Sequence, residues 1–292
     1  MLIKALKKLK AYVELMKPIG RSKSTLYYGL CSLIGSLLAV PHNLPLIESF
    51  KAAVAVTLSA FAIYTLNDIC DVEIDRINAP DRPLPSGRVG MREAEAITVV
   101  LFAAALAISS IVNLAVLAFV VLFSILGIVY SVPPIRLKDG WFANICWGLG
   151  VGVTVLCGAS VEAITLPPII AAATLAFLTA GCGVIKDLKD MEGDRAMGIR
   201  TVPLILGEGN ALKLMIITSA VGFPLLPLFG IVFYGLNIPY LTVITLAIVT
   251  FTYSLLILYK NPERKDVYEK AYKIQAASGF LINAAFILLG FF

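Results

Sequence analysis

Nine apolar runs, each about the length of a bilayer crossing, alternate with short polar segments along this chain. They lie at residues 24–41, 49–67, 94–112, 114–131, 141–161, 167–186, 210–233, 239–259 and 274–292. A helix needs roughly 20 apolar residues, and no fewer than about 17, to cross the hydrocarbon core. The pattern therefore predicts nine transmembrane helices, with only Asn113 and its neighbours separating the third from the fourth. Ahead of the first run, Leu2, Leu6, Leu9, Val13 and Met16 recur at helical spacing, with Lys4, Lys7, Lys8 and Lys10 between them. This reads as an amphipathic helix, either lying in the membrane interface or serving as a positive topology anchor. No small-residue cleavage site follows a short apolar core, so the segment does not read as a cleavable signal peptide.

Composition agrees with lipid as the main solvent. Of 292 residues, 59% are hydrophobic and 15% charged, against roughly 25% charged in a soluble domain. The expected fold is an all-α integral membrane protein: nine transmembrane helices in a bundle around a central cavity. One membrane domain covers residues 1–292, with a basic segment at 1–23, the bundle at 24–292, and cytoplasmic loops at 68–93, 132–140 and 187–209. With nine spans, every one of the 24 Lys and Arg residues except Lys51 falls on one side. The excess of Lys and Arg marks that side as cytoplasm, so the N-terminus is expected inside, in the cell membrane. The five cysteines, Cys31, Cys70, Cys146, Cys157 and Cys182, show no paired metal spacing and read as apolar packing. The single histidine, His42, falls in an outer loop, which leaves the chemistry without a histidine base.

The polar positions carry a repeat. Asp68-Ile-Cys-Asp-Val-Glu-Ile-Asp-Arg76 returns as Asp187-Leu-Lys-Asp-Met-Glu-Gly-Asp-Arg195, each copy at the cytoplasmic end of an apolar run. On a helix continuing the second span, Asp68, Asp71 and Asp75 fall at i, i+3 and i+7, within a stripe of roughly 60°. Asp187, Asp190 and Asp194 repeat that spacing after the sixth span. Asn67 precedes the first copy, and Lys186 holds the matching place in the second, so the copies are not chemically equal. Carboxylates beside a membrane span are expensive and usually functional. Three on one face repel unless a cation sits among them. Oxygen ligands without His or Cys suit Mg²⁺ or Mn²⁺, which commonly bind carboxylates together with substrate phosphates. Two facing clusters could thus hold a diphosphate.

Cationic loops follow each cluster. Arg82 sits between Asp81 and Pro83 in a stiff loop, and Arg88 follows Gly87; Arg195, Gly198, Arg200 and Thr201 follow the second cluster. A third loop, Tyr130-Ser-Val-Pro-Pro-Ile-Arg-Leu-Lys138, uses paired prolines to aim Arg136 and Lys138. Tyr130 reads either as a hydrogen-bond donor in the pocket or as an interfacial tyrosine. Carboxylates for metal, interleaved with Arg and Lys for oxyanions, match the needs of a metal–diphosphate site.

These residues resemble the UbiA superfamily of intramembrane prenyltransferases. Its signature N-D-x-x-D-x-x-x-D is matched by Asn67, Asp68, Asp71 and Asp75. Its arginine–proline loop is matched by Arg82-Pro-Leu-Pro-Ser-Gly87, and its second signature by Asp190, Glu192, Gly193, Asp194, Arg195, Gly198 and Thr201, with Asp187 upstream. The Tyr-Ser-x-Pro-Pro segment with Lys138 downstream is also similar. The resemblance implies Mg²⁺-dependent transfer of a polyprenyl chain from an allylic diphosphate to a lipophilic acceptor, with release of diphosphate. It implies metal contact through Asn67, Asp68, Asp71, Asp75, Asp187, Asp190 and Asp194. Asp71, Asp75, Asp190 and Asp194 then carry the catalysis, Asp75 or Asp194 by orienting the site or removing the acceptor proton. Arg82, Lys138, Arg136, Arg195 and Tyr130 serve the diphosphate. Both a quinone-precursor ring and geranylgeranylglyceryl phosphate remain open as acceptor. The segment Arg76-Ile-Asn-Ala-Pro-Asp-Arg-Pro-Leu-Pro-Ser-Gly87 is similar to the ether-lipid enzymes, whereas Met16-Lys-Pro-Ile-Gly20 is similar to those with aromatic or chlorin acceptors.

Two rival classes share some of these features. A cation-coupled transporter also uses paired acids and repeats, but near the bilayer midplane and within broken helices. A membrane alcohol phosphotransferase needs one contiguous acidic cluster. Membrane lipid is an expected partner; nucleic acid and an obligate protein partner are not implied.

Overall fold

The computed structural model describes residues 2–17, 25–40, 43–261 and 265–290, and among these all regular structure is helical. His42, the stretch 18–24 that closes the basic N-terminal segment, and the last two residues of the ninth expected span lie outside the described residues. The helices are α1 (Leu2–Met16), α2 (Leu26–Ala39), α3 (Leu46–Cys70), α4 (Val72–Asn78), α5 (Met91–Val112), α6 (Leu114–Ser131), α7 (Ala143–Ala159), α8 (Leu166–Cys182), α9 (Val184–Ala196), α10 (Val202–Leu206), α11 (Glu208–Tyr234), α12 (Ile238–Lys260) and α13 (Lys265–Leu289).

An apolar helix stands at each of the nine expected spans. Among the described residues seven are long and apolar enough to cross a membrane, α8 and α9 counting as one stretch, Leu166–Ala196. The other two are shorter: α2 has 14 residues and α7 has 17. Both are buried along most of their length and pack on each other through glycine. A Cβ on Gly35 would fall 1.8 Å from the Val155 carbonyl oxygen, and one on Gly158 would fall 1.6 Å from that of Ser32. Ser36 Oγ donates to the Gly158 carbonyl at 2.8 Å. Close backbone approach at small residues is how helices associate where apolar surface alone gives no preference over lipid.

The junction between the third and fourth runs is sharp. Asn113 Oδ1 accepts from Val116 N–H at 2.8 Å, capping α6, while its Nδ2 donates to the carbonyls of Ser160 and Val161 at the end of α7. One side chain thus satisfies donors and acceptors left over at two helix ends. The cysteines are free, with Cys31, Cys146 and Cys157 buried as packing groups.

Helix α1 has two apolar faces. Ala11 and Leu15 are buried against Val72, Leu84 and Val89, whereas Leu6, Leu9 and Val13 stay exposed. Ion pairs tie it to the segment after α4: Glu14 with Arg88 at 2.6 Å and Lys8 with Glu93 at 2.5 Å. The helix therefore docks on protein as well as presenting apolar surface outward.

One sequence expectation is corrected. Asp68, Asp71 and Asp75 do not share one regular helix, because the backbone leaves helical geometry at Asp71 (φ −101°, ψ 1°), where α3 ends and α4 begins. The second copy is unbroken: Asp187, Asp190 and Asp194 all lie on α9, and its break falls earlier, at Gly183.

Candidate active site

Two cations meet the chain at the break at Asp71. Arg136 and Lys138, from the loop after α6, both bind its carboxylate, at 2.8 Å to Oδ1 and 2.5 Å to Oδ2. Arg136 has φ +41°, a left-handed conformation costing a non-glycine residue about 1–3 kcal/mol. Its second ion pair, to Asp139 at 2.6 Å, helps hold it there. Lys17, at the end of α1, is the other non-glycine residue with positive φ among those described, and its Nζ pairs with Asp68. Both unusual backbone positions thus aim a cation at the first motif. Arg82 completes the set, 2.5 Å from Asp75 Oδ2 and 3.8 Å from Asp68 Oδ1.

Every carboxylate of the first motif is therefore matched by a cation. Among the described residues no group of three or more Asp, Glu, His or Cys side chains is arranged to hold a metal by itself. One oxygen is left over: Asp68 Oδ2 is buried without a hydrogen-bond partner. Burial pushes the Asp75 carboxyl up from its usual range, while Arg82 pulls it down. Burial likewise lowers the Lys138 ammonium, with Asp71 opposing.

The second motif is held differently. Asn144 Nδ2, on α7, donates to Asp187 Oδ2 at 2.6 Å. Lys189 Nζ lies 3.5 Å from Asp190 Oδ1 and 3.9 Å from Glu269 Oε2, and 5.0 Å from the Tyr272 ring centroid. Asp194 is half-buried and Arg195 exposed. The backbone joins the two cationic loops where Arg200 N–H donates to the Asp139 carbonyl at 3.0 Å.

Residues from both halves of the repeat line one cavity of about 510 Å³, although of the six motif aspartates only Asp190 is in its lining. Asn67 and Arg82 line it from the first half; Lys186, Lys189 and Asp190 line it from the second, and Tyr130 also reaches it. Its remaining wall is largely aromatic and apolar, including Tyr28, Phe123, Trp147 and Phe280. Tyr28 and Phe123 stack at 5.1 Å between ring centroids. Arg136, Lys138 and Arg195 do not line this cavity; the first two act on Asp71 behind it. The arrangement offers charged groups for an anionic headgroup and an apolar, aromatic chamber for a chain.

Sequence reasoning missed Lys17, Asn144 and Lys189 as site residues. Asn144 had a signal, a polar residue inside an apolar run, which is itself a functional pointer. Lys17 had none, since its partner lies 51 positions away.

Comparisons with known proteins bear on the family and the fold. The model of the UbiA prenyltransferase family matches residues 29–282. Digeranylgeranylglyceryl phosphate synthase of Thermococcus gammatolerans is 30% identical over 291 residues, covering 96% of this chain and 98% of that protein. A solved structure described as a digeranylgeranylglyceryl phosphate synthase in membranes superposes with TM-score 0.77 at 27% identity, covering 97% of this chain and 98% of that one. A UbiA homologue from Archaeoglobus fulgidus, bound to GPP and Mg²⁺, superposes with TM-score 0.78 at 24% identity, covering 96% and 98%, which speaks to the fold. The cation-coupled transporter reading finds no support among these relatives.

Proposed function

The chain belongs to the UbiA prenyltransferase family, and on that premise we propose that this intramembrane enzyme prenylates a glyceryl phosphate lipid. The allylic C–O bond of a polyprenyl diphosphate breaks, the glycerol hydroxyl of the acceptor bonds to that carbon, its proton leaves, and diphosphate is released. The observation that carries this reading is the one cavity lined by Asn67 and Arg82 from the first half and by Lys186, Lys189 and Asp190 from the second, with largely aromatic walls. The ether-lipid acceptor is favoured by relatives named digeranylgeranylglyceryl phosphate synthase, such as that of T. gammatolerans. A quinone-precursor acceptor draws no support from them.

The donor set fits a hard divalent cation: carboxylate and amide oxygens, with Asp68 Oδ2 buried and unpartnered. Asn67, Asp68, Asp71, Asp75, Asp187, Asp190 and Asp194 would hold Mg²⁺, which neutralises charge growing on the departing diphosphate. Arg82, Arg136 and Lys138 are cations that re-pair from carboxylates to phosphate oxygens when the headgroup arrives, and Arg195 joins them. Tyr130 orients the headgroup, and Asp75 or Asp194 accepts the acceptor proton. Aromatic walls keep water from an allylic carbocation that it would otherwise quench. The reading keeps nine spans, with α2 and α7 among them. The N-terminus and the charged end face the cytoplasm, in the cell membrane, within one domain over residues 1–292; the distribution of Lys and Arg supports that orientation.

The test is direct. Purified protein is given Mg²⁺, allylic diphosphates of several lengths, and acceptors that include geranylgeranylglyceryl phosphate and a quinone-precursor ring, with products identified by mass spectrometry. Ether-lipid product and diphosphate are expected, both lost with chelator and strongly reduced in Asp71→Ala and Asp190→Ala. Undiminished turnover in both variants would overturn the site assignment, and exclusive prenylation of the ring would overturn the acceptor.

A further inference from the structure

Four charged residues line the 510 Å³ cavity: Arg82, Lys186, Lys189 and Asp190. Three are matched. Arg82 pairs with Asp75 at 2.5 Å, and Lys189 with Asp190 at 3.5 Å. Lys186 is different. It sits half-buried near the start of α9, and among the described residues it makes no ion pair. Asp187, Asp190 and Asp194 share its helix, yet none of these carboxylates forms an ion pair with it. Asp187 instead takes its short hydrogen bond from Asn144. An ammonium that lines a cavity with no carboxylate closed on it keeps its donors available for an arriving anion.

The repeat sets this cation apart. The matching place in the first copy is Asn67, a neutral amide that donates to Ser131 Oγ at 3.3 Å. The first half already carries Lys17, Arg82, Arg136 and Lys138 around its three carboxylates, enough charge for one diphosphate once those carboxylates turn to metal. A neutral acceptor needs no further cation in the cavity. An acceptor with its own phosphate does.

We propose that Lys186 binds the phosphate of the acceptor, a lipid phosphomonoester, and so selects phosphorylated over neutral acceptors. This rests on the prenyl-transfer reading above and adds the group that recognises the second substrate. Lysine suits the task as a compact point charge with three donors on a flexible stem, able to follow a headgroup.

The experiment compares wild type with Lys186→Asn, which copies the residue of the first repeat, and with Lys186→Arg. Lys186→Gln serves as a second neutral variant should Lys186→Asn fail to fold. One allylic diphosphate and Mg²⁺ are supplied with either geranylgeranylglyceryl phosphate or the dephosphorylated alcohol. The ratio of kcat/KM for phosphorylated over dephosphorylated acceptor should fall about 10- to 100-fold in the neutral variants, the size of one charge-assisted hydrogen bond. Lys186→Arg should retain most of the ratio. Binding of the phosphorylated lipid, measured without metal or allylic diphosphate, should weaken by a similar factor in the neutral variants. An unmoved ratio in protein that still prenylates the lipid overturns the inference and leaves the function intact. So does a rise confined to the KM of the allylic diphosphate, which would assign Lys186 to the leaving group. Wild type that prenylates neither glyceryl lipid overturns the acceptor reading itself.

Discussion

Asn144 on α7 and Asp187 on α9 are joined by a 2.6 Å hydrogen bond from carboxamide Nδ2 to carboxylate Oδ2, with the two side chains 5% and 4% exposed. The bond sets the orientation of the first acid of the second motif from a helix that carries none of the acids. Asn144 also lines the cavity, so the contact forms part of its wall.

Replacing Asn144 with Ala leaves Asp187 buried without its donor. Groups that orient metal ligands typically matter 10- to 100-fold in affinity or activity, so a loss of about that size is expected in Mn²⁺ binding and in turnover. Mn²⁺ titration followed by magnetic resonance reads the first, without substrate. Unchanged affinity in a folded Asn144→Ala protein would show that Asp187 needs no such positioning.

Gly183 allows that contact. A Cβ there would stand 2.3 Å from Asn144 Oδ1, so Gly183→Ala must push the amide away. It should reproduce the Asn144→Ala defect. Gly193, inside the second motif, meets nothing within 4 Å, and Gly193→Ala should stabilise α9 by up to about 1 kcal/mol. Thermal melting in detergent together with the metal titration separates the two glycines. Equal behaviour of both variants would refute the packing argument.

The α2–α7 contact should be intolerant of any side chain. Gly158→Ala places a Cβ 1.6 Å from a backbone oxygen that cannot swing aside. Destabilisation of about 1–3 kcal/mol, typical of overpacking, is expected as a lowered Tm. A Tm equal to wild type would mean that the two helices separate freely.

Docking of α1 should weaken in acid. Its hydrogen bond with Arg88 holds the Glu14 carboxyl below the usual glutamate range. A depressed carboxylate pKa adds stability above the unfolded value, roughly 4.3, that is lost as pH falls through the folded value. Both partners are about two-fifths exposed, so the contribution is at most about 1 kcal/mol. Hydrogen exchange across residues 6–16 should rise between pH 5 and pH 3 in wild type and much less so in Glu14→Gln. Identical exchange profiles for the two proteins would contradict this.

What the chain spells out locally is extensive. The positions of the apolar helices follow from hydropathy, because in lipid each span must satisfy its own backbone hydrogen bonds and so appears as an unbroken apolar run. The two acidic motifs are legible for the same reason: charge at the end of such a run stands out against its surroundings. Tertiary structure decided everything that depends on partners distant in sequence. The break at Asp71 coincides with the point where Arg136 and Lys138, more than sixty residues away, bind its carboxylate, and no helical periodicity in residues 68–76 could reveal that. Two near-identical motifs thereby acquire different backbones. That α2 and α7 are buried along most of their length against each other is likewise a matter of neighbours, which hydropathy does not register. Lys17, Asn144 and the unmatched Lys186 gain their meaning only when separate helices converge, since electrostatic pairing acts through space and leaves no periodic trace along the chain.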